Sequence, residues 1–169
     1  MLKMIGVILV VSGASGFGIG KGLQFYRQLR QLREFYNALE ILKCELNYTL
    51  MPLPKLCRVT AQRVNGAAAA YLLRYAKKLE DNIPRTKAAA QCMEEIRGLS
   101  LPRDAQMALL ELFGTLGRYD LDGENRLLQL TAHRLNAAIE RYQTEKKPLA
   151  RGYAVLGTCT GIALAILLI

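Results

Sequence analysis

The sequence has little of what metal and redox sites require: a single histidine and only four cysteines. None of the cysteines forms a C-x-x-C pair, and His133 lies far along the chain from all of them. Zinc sites need closely spaced ligand pairs, so the sequence predicts no metal site. Cys159 falls within an apolar segment, and we expect inert, buried thiols in a reducing compartment. The alternative is an oxidising compartment, in which Cys44 could pair with Cys57.

The glycine-rich stretch SGASGFGIGKG, Ser12–Gly22, lacks the residues of a phosphate-binding loop. A P-loop needs G-x-x-x-x-G-K-[ST], in which the last hydroxyl holds Mg²⁺. Aligned on its Gly-Lys pair, the stretch has Ser15 in place of the first glycine and Gly22 in place of the hydroxyl. Its glycines alternate, which is not the G-x-G-x-x-G spacing of a dinucleotide site. We therefore expect no nucleotide cofactor.

A catalytic constellation is also missing. Catalysis needs a nucleophile with its base, or two placed carboxylates. His133 lies beside Arg134 on a predicted helix, with no serine or cysteine at helical spacing. Asp120 follows a glycine corner, where it can cap the next helix. The sequence predicts a protein that is not an enzyme, with no cofactor and no small-molecule substrate.

Charge is absent from both ends of the chain, over residues 4–20 and 152–169. At about 1.5 Å per residue these segments reach roughly 26 and 27 Å, slightly less than a hydrocarbon core of ~30 Å. We predict two transmembrane helices on either side of a central domain, 21–151. Two alternatives stay open: the first segment as a signal peptide cleaved near Ser12 and Ala14, and the second as a buried core helix.

Basic residues flank both segments on their inner side, which predicts a cytoplasmic central domain by the positive-inside rule. Without Lys3, 22 basic residues stand against 14 acidic ones, a balance of +8. Such a surface favours contact with anionic membrane lipid. The basic residues are mixed with acids and no aromatic platform accompanies them, so nucleic acid is not an expected partner.

The central domain is predicted to be all-α, a bundle of about six helices. The first runs from Phe25 to the Met51-Pro52 stop, and later ones cover about 54–64, 67–81, 85–97 and 100–113. The last begins near Leu121. Proline, glycine and asparagine mark the breaks, with Asn65-Gly66 expected as the C-cap of the second helix.

Small residues recur at every fourth position in the apolar segments. Ser12, Gly16 and Gly20 have this spacing, as do Gly157 and Gly161. Such spacing lets membrane helices approach closely, so we take these residues as candidates for helix packing. The alternative is that glycine is simply frequent in membrane helices.

Four stretches carry a resemblance over nearly the whole chain. They are MLKMIGVILVVSGASGFGIG, LKCELNYTLMPLPKLC, LFGTLGRYD and GYAVLGTCTGIALAILLI. Together they resemble the stage III sporulation protein AB family of endospore-forming bacteria. The motif residues carried over by position are Glu45, Tyr48, Leu53, Gly117, Arg118 and Asp120.

The resemblance implies a role during engulfment, in the mother-cell membrane around the forespore. It also implies a domain that looks like those of type II secretion F proteins. These are platforms that couple a cytoplasmic ATPase to a membrane assembly. The expected function is a membrane adaptor of a secretion-like complex, with the ATPase and other membrane subunits as partners. Two alternatives remain: an exported helical domain with a cleaved signal peptide and a C-terminal anchor, or a small transporter subunit.

Overall fold

A computed structural model describes the backbone of residues 2–48 and 51–146 and the side chains of residues 24–48 and 51–144. The described residues form helices and no strand, so the prediction of an all-α protein is confirmed. The helices are α1 (Leu2–Tyr48), α2 (Leu53–Arg63), α3 (Gly66–Glu80), α4 (Arg85–Glu95), α5 (Arg103–Thr115) and α6 (Leu121–Arg141). A π-helical turn, Tyr142–Lys146, follows α6.

The chain divides into two units, Arg30–Glu140 and a second made of Met1–Leu29 with Arg141–Ile169. In the second unit, the rings of Phe25 and Tyr142 are stacked with centroids 6.1 Å apart. Among the described residues, no helix combines the length and the apolar character needed to cross a membrane. Segment 152–169 and the side chains of residues 4–20 lie outside the described residues, so both membrane helices stay predictions.

Proline sets the start of three helices in the Arg30–Glu140 unit. Pro52, Pro84 and Pro102 directly precede α2, α4 and α5. Proline has a fixed φ and no backbone N–H, which suits a helix start, where N–H groups lack helical partners. Each proline carbonyl accepts the first helical hydrogen bond, at 2.8–3.0 Å. The predicted breaks at these positions follow from the same property.

An aromatic cluster lies at the centre of this unit. The ring of Phe113 in α5 packs against Tyr71 and Tyr75 of α3, with centroids 4.9 and 5.1 Å away, and Phe35 of α1 packs on Tyr71 at 5.7 Å. The Tyr75 hydroxyl donates to the carbonyl of Phe113, in the last turn of α5, where carbonyls lack helical donors. The cluster therefore joins α1, α3 and α5 and also caps α5.

Polar side chains of α1 hold two of the connections. The buried amide of Gln31 donates to the carbonyl of Gly98 and accepts from the N–H of Ser100, both at 2.8 Å. The carboxylate of Glu34 accepts from the N–H of Ala67 at 2.8 Å and so caps α3. The prediction that Gly66 caps the end of α2 is wrong: α2 ends at Arg63, and Gly66 begins α3.

Candidate functional site

The connection between α5 and α6 turns sharply at Gly117, where φ is +84°. Helix α5 ends when Leu116 adopts an extended conformation, and its side chain is buried. Gly117 then takes the left-handed conformation that glycine adopts without a steric cost. We call residues 117–120 the corner. It leads directly into α6, which begins at Leu121.

One carboxylate oxygen holds the corner in place. Oε1 of Glu124, in the first turn of α6, accepts hydrogen bonds from the backbone N–H groups of Gly117, Arg118 and Tyr119 at 2.8, 3.0 and 3.0 Å. Hydrogen bonds to an ionised acceptor are roughly twice as strong as neutral ones. Three consecutive amides directed at one oxygen therefore fix the backbone of the corner.

The other oxygen of this carboxylate, Oε2, is buried and has no hydrogen-bond partner in the part of the chain that the structure describes. The whole Glu124 residue is only 4% exposed. Its charge acts on Tyr75, whose pKa is raised by burial first and, to a smaller degree, by neighbours that include Glu124. Glu124 thus combines one saturated oxygen with one unsatisfied oxygen inside the domain.

Asp120 caps α6 from the end of the corner. Its Oδ1 accepts from the N–H of Gly123 at 3.2 Å, and its carbonyl accepts from the N–H of Glu124 at 2.9 Å. A Cβ on Gly123 would lie 2.8 Å from Cβ of Tyr119 and 2.9 Å from Oδ1 of Asp120. Glycine at 123 therefore permits the close approach of the cap and the corner.

A pocket of about 220 Å³ opens beside the corner, between α1, α2, the corner and α6. Its walls are mostly leucine side chains with one methionine, and Glu124 is also among the lining residues. The lining residues are Leu46, Met51, Leu53, Leu56, Leu116, Gly117, Tyr119, Leu121 and Glu124. A hydrogen-bonded pair between the side-chain amides of Asn47 and Asn125 joins α1 to α6 nearby.

The structure brings together some of the motif residues predicted from the sequence. Leu53 and Gly117 line the pocket, while Arg118 and Asp120 are exposed in the corner. Tyr48 is the last residue of α1 and is 83% exposed. Glu45 lies elsewhere: it is buried and forms an ion pair with Arg63 at the end of α2. Its position indicates a structural contact between α1 and α2.

The candidates for transmembrane packing are not brought into this site. Ser12, Gly16 and Gly20 belong to α1, and their side-chain surroundings lie outside the described residues. Gly157 and Gly161 lie outside the described residues altogether. Their packing role stays a prediction.

Glu124 and Arg85 are two residues of the site that the sequence did not single out. Acidic residues are frequent in the first turn of a helix, where the dipole favours them, so Glu124 carries no distinguishing signal. Arg85 begins α4, and its Nη2 would lie 3.4 Å from a Cβ placed on Gly117. Both residues approach Gly117 only in the folded chain, which no local sequence pattern shows.

The two buried thiols among the described residues, Cys57 and Cys92, are poor nucleophiles. Burial raises the pKa of Cys57 to about 12 and that of Cys92 to about 11, whereas Cys44 is exposed. The thiolate is the reactive form of cysteine, so the two buried residues are inert near neutral pH. Within the side chains described, no cluster of three or more potential metal ligands is present. The pocket itself is lined mainly by apolar side chains, with Glu124 among them, and such a lining is suited to binding another molecule.

Comparison with known proteins gives one family. The profile of "Stage III sporulation protein AB" matches residues 3–169. Stage III sporulation protein AB of Bacillus subtilis strain 168 is 22% identical over 173 residues, which cover 99% of this chain and 99% of the relative. A solved structure of a stage III sporulation protein AB superimposes with a TM-score of 0.64 at 20% identity. The superposition covers 72% of this chain and 98% of the solved chain, and it supports the helical fold described above.

Proposed function

The chain belongs to the stage III sporulation protein AB family, and from that premise we propose that it is a non-enzymatic adaptor in the membrane of the sporulating mother cell. Its role is in sporulation, and the proposed task is narrower. The helical domain binds a cytoplasmic ATPase, the two predicted membrane helices bind lipid and the other membrane subunits, and the chain couples the two sides of a secretion-like complex.

The observation that carries this proposal is the exposed corner on a fixed backbone. Arg118 and Tyr119 are exposed, and their N–H groups are held by Glu124. Arginine and tyrosine are enriched at protein interfaces and supply much of their binding energy. A backbone that is already ordered loses little conformational freedom on binding. The corner is therefore suited to partner recognition.

Copurification tests the adaptor role. The full chain is expressed in its membrane with the ATPase of the same complex, extracted with mild detergent and captured through a tag. We expect the ATPase to copurify, and Arg118→Glu to reduce its yield several-fold because the substitution reverses a charge on the corner. Arg97→Glu is the matched control, since Arg97 is exposed in the turn held by Gln31, away from the corner.

Two results would contradict the proposal. One is an ATPase yield that is the same for Arg118→Glu, Arg97→Glu and the wild type. The other is ATP hydrolysis by the purified chain itself that is lost in Lys21→Ala, since it would make the glycine-rich stretch a nucleotide site.

The membrane arrangement has its own test. Alkaline carbonate should leave the chain in the membrane fraction, because lipid solvates residues 4–20 and 152–169 in the proposed topology. N-terminal sequencing of the extracted chain distinguishes the exported alternative, in which the sequence would start near Ser15. Release of the intact chain into the supernatant would refute both membrane helices.

A further inference from the structure

The pocket beside the corner contains an acceptor without a donor. Oε1 of Glu124 uses the three corner amides, whereas Oε2 is buried and unpaired. Buried polar atoms in folded proteins nearly always have a hydrogen-bond partner, so each exception requires an explanation. Glu124 is one of the residues that line an open pocket, so another molecule could supply the donor if a lining side chain turned away from Oε2.

The walls of the pocket select for an apolar body. They are formed largely by Leu46, Met51, Leu53 and Leu56, and its mouth is bordered by Tyr119 and Leu121, which are 58% and 42% exposed. Apolar side chains exposed around a concave surface are typical of interaction sites. An occupant must therefore cover apolar surface and also bring one hydrogen-bond donor.

Charge around the pocket disfavours a cationic occupant. The guanidinium of Arg85 lies against Gly117, and Arg118 is the next residue of the corner. Three backbone N–H groups already stabilise the negative charge of Glu124. An ammonium or guanidinium entering here would meet the guanidinium of Arg85, so a neutral donor fits better.

We propose that this pocket binds the indole of a tryptophan presented by a partner protein. Indole joins a large apolar body to a single N–H donor and has no acceptor of its own. Its N–H would donate to Oε2 of Glu124 while its rings cover Leu53 and Leu121. The chain contains no tryptophan, so the indole must come from another protein. Only the protein nature of the occupant rests on the proposed adaptor role.

The site must adjust slightly to admit the ring. Oε2 is closed to water, so a lining side chain has to turn before a donor can reach it. Met51 is the unbranched and adaptable member of the lining, which makes its methyl group a suitable reporter. Met107 of α5 is 63% exposed and does not line the pocket, which makes it an internal control.

The test uses the full chain in lipid nanodiscs, with ¹³C-labelled methionine methyl groups followed by NMR. N-acetyl-tryptophanamide is titrated first, then its 1-methylindole analogue, which lacks the donor. We expect the Met51 signal to shift saturably while Met107 stays unchanged. The analogue should bind about tenfold more weakly, the effect of losing one hydrogen bond to a charged acceptor.

Two variants separate the donor from the apolar contact. Glu124→Gln keeps one oxygen for the corner amides but places an amide donor where Oε2 was, so the preference for indole over its methylated analogue should disappear. Leu53→Ala should weaken both probes about equally. Leu130→Ala is the matched control, because Leu130 is exposed on α6 and does not line the pocket.

Several outcomes would overturn the inference: no Met51 shift with any probe, equal affinity for the two indoles, or an unaltered preference in Glu124→Gln. Binding of N-acetyl-lysinamide that is tighter than that of the tryptophan probe would also overturn it. Tighter binding of N-acetyl-tyrosinamide would do the same, and would favour the exposed Tyr48 of a second copy as the occupant. If the probes fail while the ATPase still copurifies, the adaptor role stands. If the ATPase is lost from the preparation and the probes bind as expected, only the adaptor role fails.

Discussion

Gly117→Ala measures the backbone strain that the corner imposes. At φ +84° an alanine is in the left-handed region, which costs about 1–2 kcal/mol for a residue with a Cβ. The new Cβ would lie 3.4 Å from Nη2 of Arg85 and 3.5 Å from Cδ2 of Leu53. These are ordinary van der Waals contacts that add little. We therefore expect Gly117→Ala to lower the free energy of unfolding by about 1–2 kcal/mol.

Two other glycines calibrate this value. Gly98 has nearly the same φ, +83°, and nothing within 4 Å of an added Cβ, so Gly98→Ala should cost the same about 1–2 kcal/mol. At Gly66 the Cβ would overlap the carboxylate of Glu34. Gly66→Ala should therefore also lose the charged hydrogen bond to Ala67, about 1.5–3 kcal/mol more.

Thermal unfolding of the full chain in detergent, followed by circular dichroism, provides the assay. For a chain of this size 1 kcal/mol lowers Tm by roughly 2–4 °C. The decrease in Tm should be largest for Gly66→Ala and equal for Gly117→Ala and Gly98→Ala. If Gly117→Ala left Tm unchanged while Gly98→Ala lowered it, the corner would not require glycine. The description of the corner as a turn that requires the left-handed conformation at residue 117 would then be wrong.

Three further predictions concern the same domain. Glu124→Ala leaves the corner amides to water and should lower the free energy of unfolding by about 2 kcal/mol. This is less than the contribution of three charged hydrogen bonds, because the substitution also removes the unpaired oxygen. An unchanged Tm would contradict this prediction. Asp120→Ala should lower stability by about 0.5–2 kcal/mol and Asp120→Asn by much less, since asparagine also caps helices. Alkylation at pH 8 with peptide mass spectrometry should label Cys44 but spare Cys57 and Cys92, whose pKa values are raised by burial to about 12 and 11, until denaturant is added; labelling of either buried thiol in the folded chain would refute the packing described for it.

Helix positions follow from local chemistry, and the sequence therefore predicted them well. Proline at 52, 84 and 102 acts within its own turn, and each of these residues precedes a helix as expected. The error at Gly66 has a different origin. A glycine with positive φ after a helix ordinarily caps that helix, but here the carboxylate of Glu34 reaches across from α1 and caps the following helix instead. That contact spans 33 residues, and no local pattern contains it.

The candidate site shows the same division between local and distant causes. Gly117, Arg118 and Asp120 were proposed from the sequence because the stretch that contains them resembles a motif of the family. Glu124 was missed because a glutamate in the first turn of a helix is ordinary. Its function depends on three backbone amides, which carry no side-chain signal in the sequence.

The arrangement of Glu124 explains how the proposed adaptor would recognise partners selectively. A flexible corner would have to order itself on contact, and the lost entropy would weaken every partner alike. With the amides fixed to Oε1, the exposed side chains of Arg118 and Tyr119 project from a defined backbone. Oε2 is already buried and unpaired before any partner binds, so a partner that reaches it with a donor gains a hydrogen bond that other partners do not make. Selectivity at this site would therefore come from that added hydrogen bond.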